Sequence, residues 1–183
     1  MMPPPILLAS ASPRRSELLR QIGIAHEVRP VALDESTHAH DAPAAYVLRL
    51  AEAKARTLWE RLATHERRPV LAADTTVALE GEIFGKPADA AESRAMLQRL
   101  SGRTHQVHTA VALVHAKGAA ARVSSSDVSL RDLSAAELDW YWNTGEPADK
   151  AGGYAVQGRA AIFIRHIAGS YSGVMGLPLF ETW

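Results

Sequence analysis

The sequence predicts an α/β fold on three observations. Apolar strand-like runs alternate with helix-spaced runs up to about residue 100, two long strand-like runs flank a Lys-Gly turn, and no internal repeat or low-complexity tract interrupts the order. Residues 5–10 read as a strand and 13–22 as a helix: Ser12 suits the N-cap, Pro13 the first helical position, and Gly23 the stop. Leu18, Leu19 and Ile22 recur at helical spacing. A second strand covers 26–31 and is followed by the acidic pair Asp34 and Glu35. From Pro43 to Ala63 a long helix carries Val47, Leu50, Ala51, Leu58 and Leu62 on one face.

The run "PVLAADTTVAL" reads as a buried strand interrupted by Asp74, and "EGEI" as a hairpin turn. A helix over 88–100 stops at "SGR". "THQVHTAVALVHAKGAAARVSSSDVSL" supplies the two long strands, and Ser134 with Glu137 three residues on forms a capping box for a helix bearing Trp140 and Tyr141. The Gly-rich loop "NTGEPADKAGGYAVQGRAA" lies between regular elements, where loops carry function. "AIFIRHI" reads as the last strand and leads into "GSYSGVMGLPLFETW", whose final helix looks short.

A length of 183 residues suits one α/β domain over 1–183. Twenty Lys and Arg balance twenty Asp and Glu, so no global field draws nucleic acid or an anionic membrane, and any anion site is built locally. Without cysteine there is no thiolate metal site and no thiol nucleophile. "MMPPPILLAS" lacks a basic leader, and no run reaches the roughly 18 apolar residues that span a bilayer. The expectation is a cytoplasmic protein.

Two features point to chemistry. Arg14 and Arg15 fall on the first turn of a helix, where the backbone already presents positive partial charge, so the pair asks for a bound anion such as phosphate. Asp74 follows an apolar run, and an ionised carboxylate there needs a cation, a metal or several hydrogen bonds to offset its desolvation. Lys54, Lys86 and Lys150 are further cations for one polyphosphate if the fold gathers them. His105 and His108 lie three apart in a strand and face opposite sides, which makes them ordinary strand residues rather than one chelate. "GEPADKAGGY" is not a Walker A loop.

Taken in order, "SASPRR", "AADTTV", "GKP", "LSGRTHQVHTAVAL", "TGEPADKAGGYAVQG" and "GSYSGVMGLPL" resemble the Maf family of nucleotide pyrophosphatases from about Ile6 to Phe180. The resemblance implies an elongated mixed β-sheet flanked by helices, in two lobes with a central cleft, similar to the inosine triphosphate pyrophosphatases. It also implies a divalent-metal-dependent hydrolase, often a homodimer, that converts a nucleoside triphosphate to its monophosphate and pyrophosphate. On that resemblance Ser10, Arg14, Arg15, Lys54 and Lys86 fall on phosphate-contacting positions, and Glu35 and Asp74 on acidic ones, Asp74 matching the proposed proton acceptor. Chemically, Asp74 either deprotonates water or holds a metal that does, and both remain open. Mg²⁺ or Mn²⁺ suits hard carboxylate and phosphate oxygens.

Subgroups of the family differ at Arg14, Thr75 and Gln157, and this combination resembles the dTTP/UTP subgroup. A glutamine amide meets both the N3–H and a carbonyl of uracil or thymine, whereas a glutamate there would suit guanine. Modified pyrimidine nucleotides, and so a house-cleaning role, fit the same edge. Competing expectations are a sibling activity on 7-methyl-GTP or purines, and a non-catalytic septum or division regulator. Gly173 and Met175 depart from the bulkier or β-branched residues expected of the family there.

Overall fold

β1 (Ile6–Leu8) lies between β2 (His26–Val28) and β3 (Val70–Leu79), parallel to both. β4 (Glu82–Phe84), β5 (Thr104–His115), β6 (Gly118–Leu130) and β7 (Ile164–Ala168) each run antiparallel to the strand they join. The result is a mixed seven-stranded sheet in the order β2-β1-β3-β5-β6-β7, with β4 also paired to β3. This computed structural model describes residues 5–36 and 42–183. Residues 1–4, part of the leader reading, lie outside that range. Among the described residues no helix is long and apolar enough to cross a membrane.

Helices α1 (Pro13–Gln21) and α2 (Pro43–Arg61) cover opposite faces of one end of the sheet. The alternation of β3 explains the division: Val70 and Ala72 pack with Val47, Leu50 and Ala51 of α2, while Leu71 and Ala73 pack with Leu18 and Leu19 of α1. At the other end α3 (Ala90–Leu100) and α4 (Ala135–Trp142) bury Leu97, Leu100, Leu138 and Tyr141 against Val77, Val107 and Val128. The core is therefore split along the sheet into two lobes. Two short helices, α5 (Tyr171–Met175) and α6 (Leu179–Thr182), close the chain back near α1.

Three local expectations are corrected. β2 ends at Val28 rather than residue 31, because Arg29 donates its last ladder bond to Leu8 and Pro30 has no N–H to continue an edge strand. The last strand starts only at Ile164, since Arg159–Phe163 winds into a 3-10 turn whose first N–H groups go to the Glu146 carboxylate instead of a sheet partner. Ser12 does occupy the α1 N-cap, but its side chain makes no capping bond; Ser10 Oγ instead accepts from the Ser12 N–H at 3.2 Å. The capping box of Ser134 and Glu137 forms as expected.

One topological feature positions everything that follows. On the side of β3 away from β5, β1 pairs with Val70 and Leu71, whereas β4 pairs with Val77, Ala78 and Leu79. Residues 72–76 of β3 thus have a strand partner on one side only. This gap lies beyond the carboxyl end of a parallel strand, where open α/β sheets bind ligands.

Candidate active site

The gap opens into a cleft of about 670 Å³ between the two lobes. Ser10, Arg14, Arg15, Glu35, Lys54, Asp74, Thr75, Lys86 and Gln157 all line it. They come from the β1–α1 turn, the β2–α2 loop, α2, the unpaired stretch of β3, the turn after β4 and the Gly-rich loop. Lys150 lines it too and pairs with the neighbouring Asp149 carboxylate.

The alternation of β3 sends Asp74 toward α2, where Lys54 Nζ donates to its Oδ1 at 2.6 Å. Both side chains are about nine-tenths buried, at 9% and 10% exposure. The same ammonium lies 2.5 Å from Glu35 Oε1, so one cation bridges two carboxylates. Tyr46 holds the Glu35 loop in place by donating its phenol to the Glu35 carbonyl at 2.7 Å. Burial raises the Asp74 carboxyl above its ordinary value, and the Lys54 and Arg15 charges only partly offset that. Glu35 is half-exposed and behaves oppositely: burial would raise it, but the Lys54 bond and charge, with Lys86 and Arg15 adding to them, hold it below the usual carboxylate range.

Thr75, one residue on, faces the α1 side. Its Oγ1 accepts from Arg15 Nη2 at 3.2 Å and shares a bond with Thr109 Oγ1 at 3.0 Å. Arg15 also donates Nη1 to Ser10 Oγ at 3.0 Å and Nε to the Gly176 carbonyl at 2.8 Å. All three acceptors are neutral. The fork is held in one orientation while its charge is left for an anion, which is the arrangement that makes an arginine selective for phosphate or carboxylate. Thr109 Oγ1 lies 2.7 Å from the Gly173 carbonyl, tying α5 to the same wall. The glycine departure at 173 leaves room for the Ser170 side chain that caps α5, from which a Cβ there would sit 3.1 Å.

The fold thus brings together every residue that the sequence reading singled out for phosphate, acid or base contact. Lys54 differs from expectation in that its ammonium is engaged by two carboxylates, and Thr75 in that its hydroxyl braces Arg15. Sequence reasoning gave no role to Tyr46, Thr109 or the Gly176 carbonyl. The "GLP" motif was visible, but a backbone acceptor carries no side-chain signature. His105 and His108 do face different partners, Tyr154 and Ser125, at 2.7 and 2.8 Å.

No group of three or more His, Cys, Asp or Glu that could hold a metal occurs among the described residues. Glu35 and Asp74 nevertheless converge on the single Lys54 cation, a hard-oxygen pair of the kind that binds Mg²⁺ jointly with substrate phosphates.

The chain is similar to several known proteins. A family model described as "Maf-like protein" matches residues 5–183. A Bordetella avium protein named dTTP/UTP pyrophosphatase is 53% identical over 98% of this chain and 92% of its own. One of the same name from Alkalilimnicola ehrlichii is 51% identical over 98% of this chain and 90% of its own. Among solved structures, the Staphylococcus aureus Ham1 protein aligns with a TM-score of 0.49 at 16% identity, covering 70% of this chain and 73% of that one.

Proposed function

This chain belongs to the Maf family, and on that premise we propose that it hydrolyses dTTP and UTP to the monophosphate and pyrophosphate. Water attacks the α-phosphorus in the inter-lobe cleft and pyrophosphate leaves. The observation that carries the reading is the buried, upward-shifted Asp74 in the same cleft as the pinned Arg15 fork. A carboxylate with a raised pKa is a better proton acceptor at neutral pH than a solvated one, and a fixed guanidinium can absorb charge developing on the phosphates without reorganising.

In this reading Asp74 takes the proton of the attacking water, and Lys54 keeps the carboxylate oriented and ionised. Arg15, Ser10, Arg14 and Lys86 hold the triphosphate. Gln157 reads the keto edge of the base, and Thr75 acts on selectivity through Arg15. In the alternative role Asp74 would join Glu35 in holding Mg²⁺ or Mn²⁺ together with phosphate oxygens, and the ion would supply charge neutralisation and a more acidic water in place of the carboxylate base. The reading extends to modified pyrimidine nucleotides, to a house-cleaning role in the cytoplasm and to a homodimer, each resting on the family alone.

Incubation with UTP or dTTP and Mg²⁺ tests it. Stoichiometric monophosphate and pyrophosphate are expected; diphosphate with orthophosphate would contradict it. A panel of all common triphosphates plus 7-methyl-GTP separates pyrimidine from purine preference.

A further inference from the structure

Gln157 sits on a loop whose backbone ends on one buried pair of side chains. Tyr141 on α4 is fully buried, and its phenol donates to Glu146 Oε1 at 2.6 Å while accepting from the Ala155 N–H at 3.1 Å. The Glu146 carboxylate in turn accepts from the N–H groups of Arg159 at 3.0 Å and Ala160 at 3.3 Å. Amides two residues before and two and three residues after Gln157 are therefore tied to the same Tyr141–Glu146 couple.

The chain is shaped to allow this. A Cβ on Gly158 would come within 2.3–2.4 Å of the Glu146 carboxylate, so a side chain there would push that carboxylate off its amide partners. Burial would raise the Glu146 carboxyl, but the Tyr141, Arg159 and Ala160 bonds outweigh it and keep it ionised, with Lys150 adding its charge. An ionised acceptor of several hydrogen bonds at the root of a surface loop restrains that loop far more than neutral contacts do. Glu146 bonds to Tyr141, Arg159 and Ala160 rather than to the cleft wall residues Arg15 or Asp74 and does not line the cleft, so its effect has to pass through the loop.

We infer that Glu146 and Tyr141 are positioning residues that set how Gln157 meets the base, and so control pyrimidine selectivity without touching the substrate. The inference rests on the proposed nucleotide hydrolysis. In an unbraced loop the Gln157 amide samples several positions, the bond to N3–H is lost for part of the time, and uracil loses its advantage over cytosine. The Ser10, Arg14, Arg15 and Lys86 contacts to phosphate, on other elements, are unaffected.

Steady-state hydrolysis of UTP and CTP, with pyrophosphate as an inhibitor that has no base, tests this. If the unaltered protein releases no pyrophosphate from UTP or dTTP, the activity falls and this inference with it. Given that activity, Tyr141→Phe and Glu146→Gln are each expected to raise the KM for UTP about tenfold and to lower the UTP-over-CTP preference similarly, roughly the loss of one charge-assisted hydrogen bond. The inhibition constant of pyrophosphate should stay within about twofold, below the size of a single lost contact. Glu146→Ala should act more strongly, with Glu146→Gln recovering part of the loss; if the alanine variant does not fold, the isosteric Tyr141→Phe carries the test alone. In a Gln157→Ala background Tyr141→Phe should add little, the signature of two residues acting as one unit. An unchanged UTP-to-CTP ratio in active variants, or a pyrophosphate constant rising in step with KM, would overturn the positioning role and leave the hydrolase reading intact.

Discussion

Lys54 donates to Asp74 at 2.6 Å in a wall where about a tenth of either side chain is exposed, and the same ammonium reaches Glu35 at 2.5 Å. A lone buried aspartate would hold its proton, and a lone buried lysine would shed one. Paired, they place an ionisable base at the one stretch of β3 that lacks a strand on its open side. The consequences can be measured.

Asp74→Asn is expected to cut kcat by about two orders of magnitude or more, because the amide keeps the shape and cannot accept the proton. The thermal midpoint should change by only a few degrees, since the amide no longer pays for burying a charge and Lys54 keeps Glu35 as its counter-ion. Paired kinetics and thermal melts check both halves.

The acid limb of the kcat profile should lie above the ordinary aspartate value of 3.8, because burial raises Asp74 and the base form is lost as pH falls through that raised pKa. Lys54→Met removes the charge that opposes this rise, so the limb should move higher still and kcat at neutral pH should fall. An acid limb that shifts downward in the variant would contradict the assignment.

Arg15→Lys is expected to weaken pyrophosphate inhibition and raise the KM for UTP, each by about tenfold, since an ammonium cannot keep the Ser10, Thr75 and Gly176 acceptors and still face an anion. Thr109→Val should act in the same direction but more weakly, through Thr75.

His105 is buried at 2% exposure, and desolvation lowers its pKa from 6.5 to about 4. The folded state therefore keeps it neutral while the unfolded chain takes up a proton below about pH 6.5. Stability is complete above that pH and lost progressively down to about pH 4, by about 3 kcal/mol in all. Urea unfolding from pH 7 to pH 4 should show this slope in the natural protein and a flatter one in His105→Gln.

Much of this was legible in the residues. The helix-spaced leucines of α1 and α2, the Lys-Gly turn and the Ser134–Glu137 box all rest on contacts within a few residues, and each formed where it was read. The clearest error fell where a partner more than ten residues away competed with local pattern: Glu146 draws the Arg159 and Ala160 amides out of the last strand.

By itself the sequence determined where strands and helices run and which of their residues share a face, because alternation and helical period follow from backbone geometry alone. It also placed an acid in need of a partner in an apolar strand and two arginines at a helix mouth. Only the tertiary structure decided that these meet: β1 pairs β3 no further than Leu71 and β4 pairs it only from Val77 on, so a break in the sheet turns part of a buried strand into the floor of a cleft. Strand pairing between segments far apart in the chain leaves no periodic trace along it, and the partners that orient the site include backbone carbonyls, which every residue has.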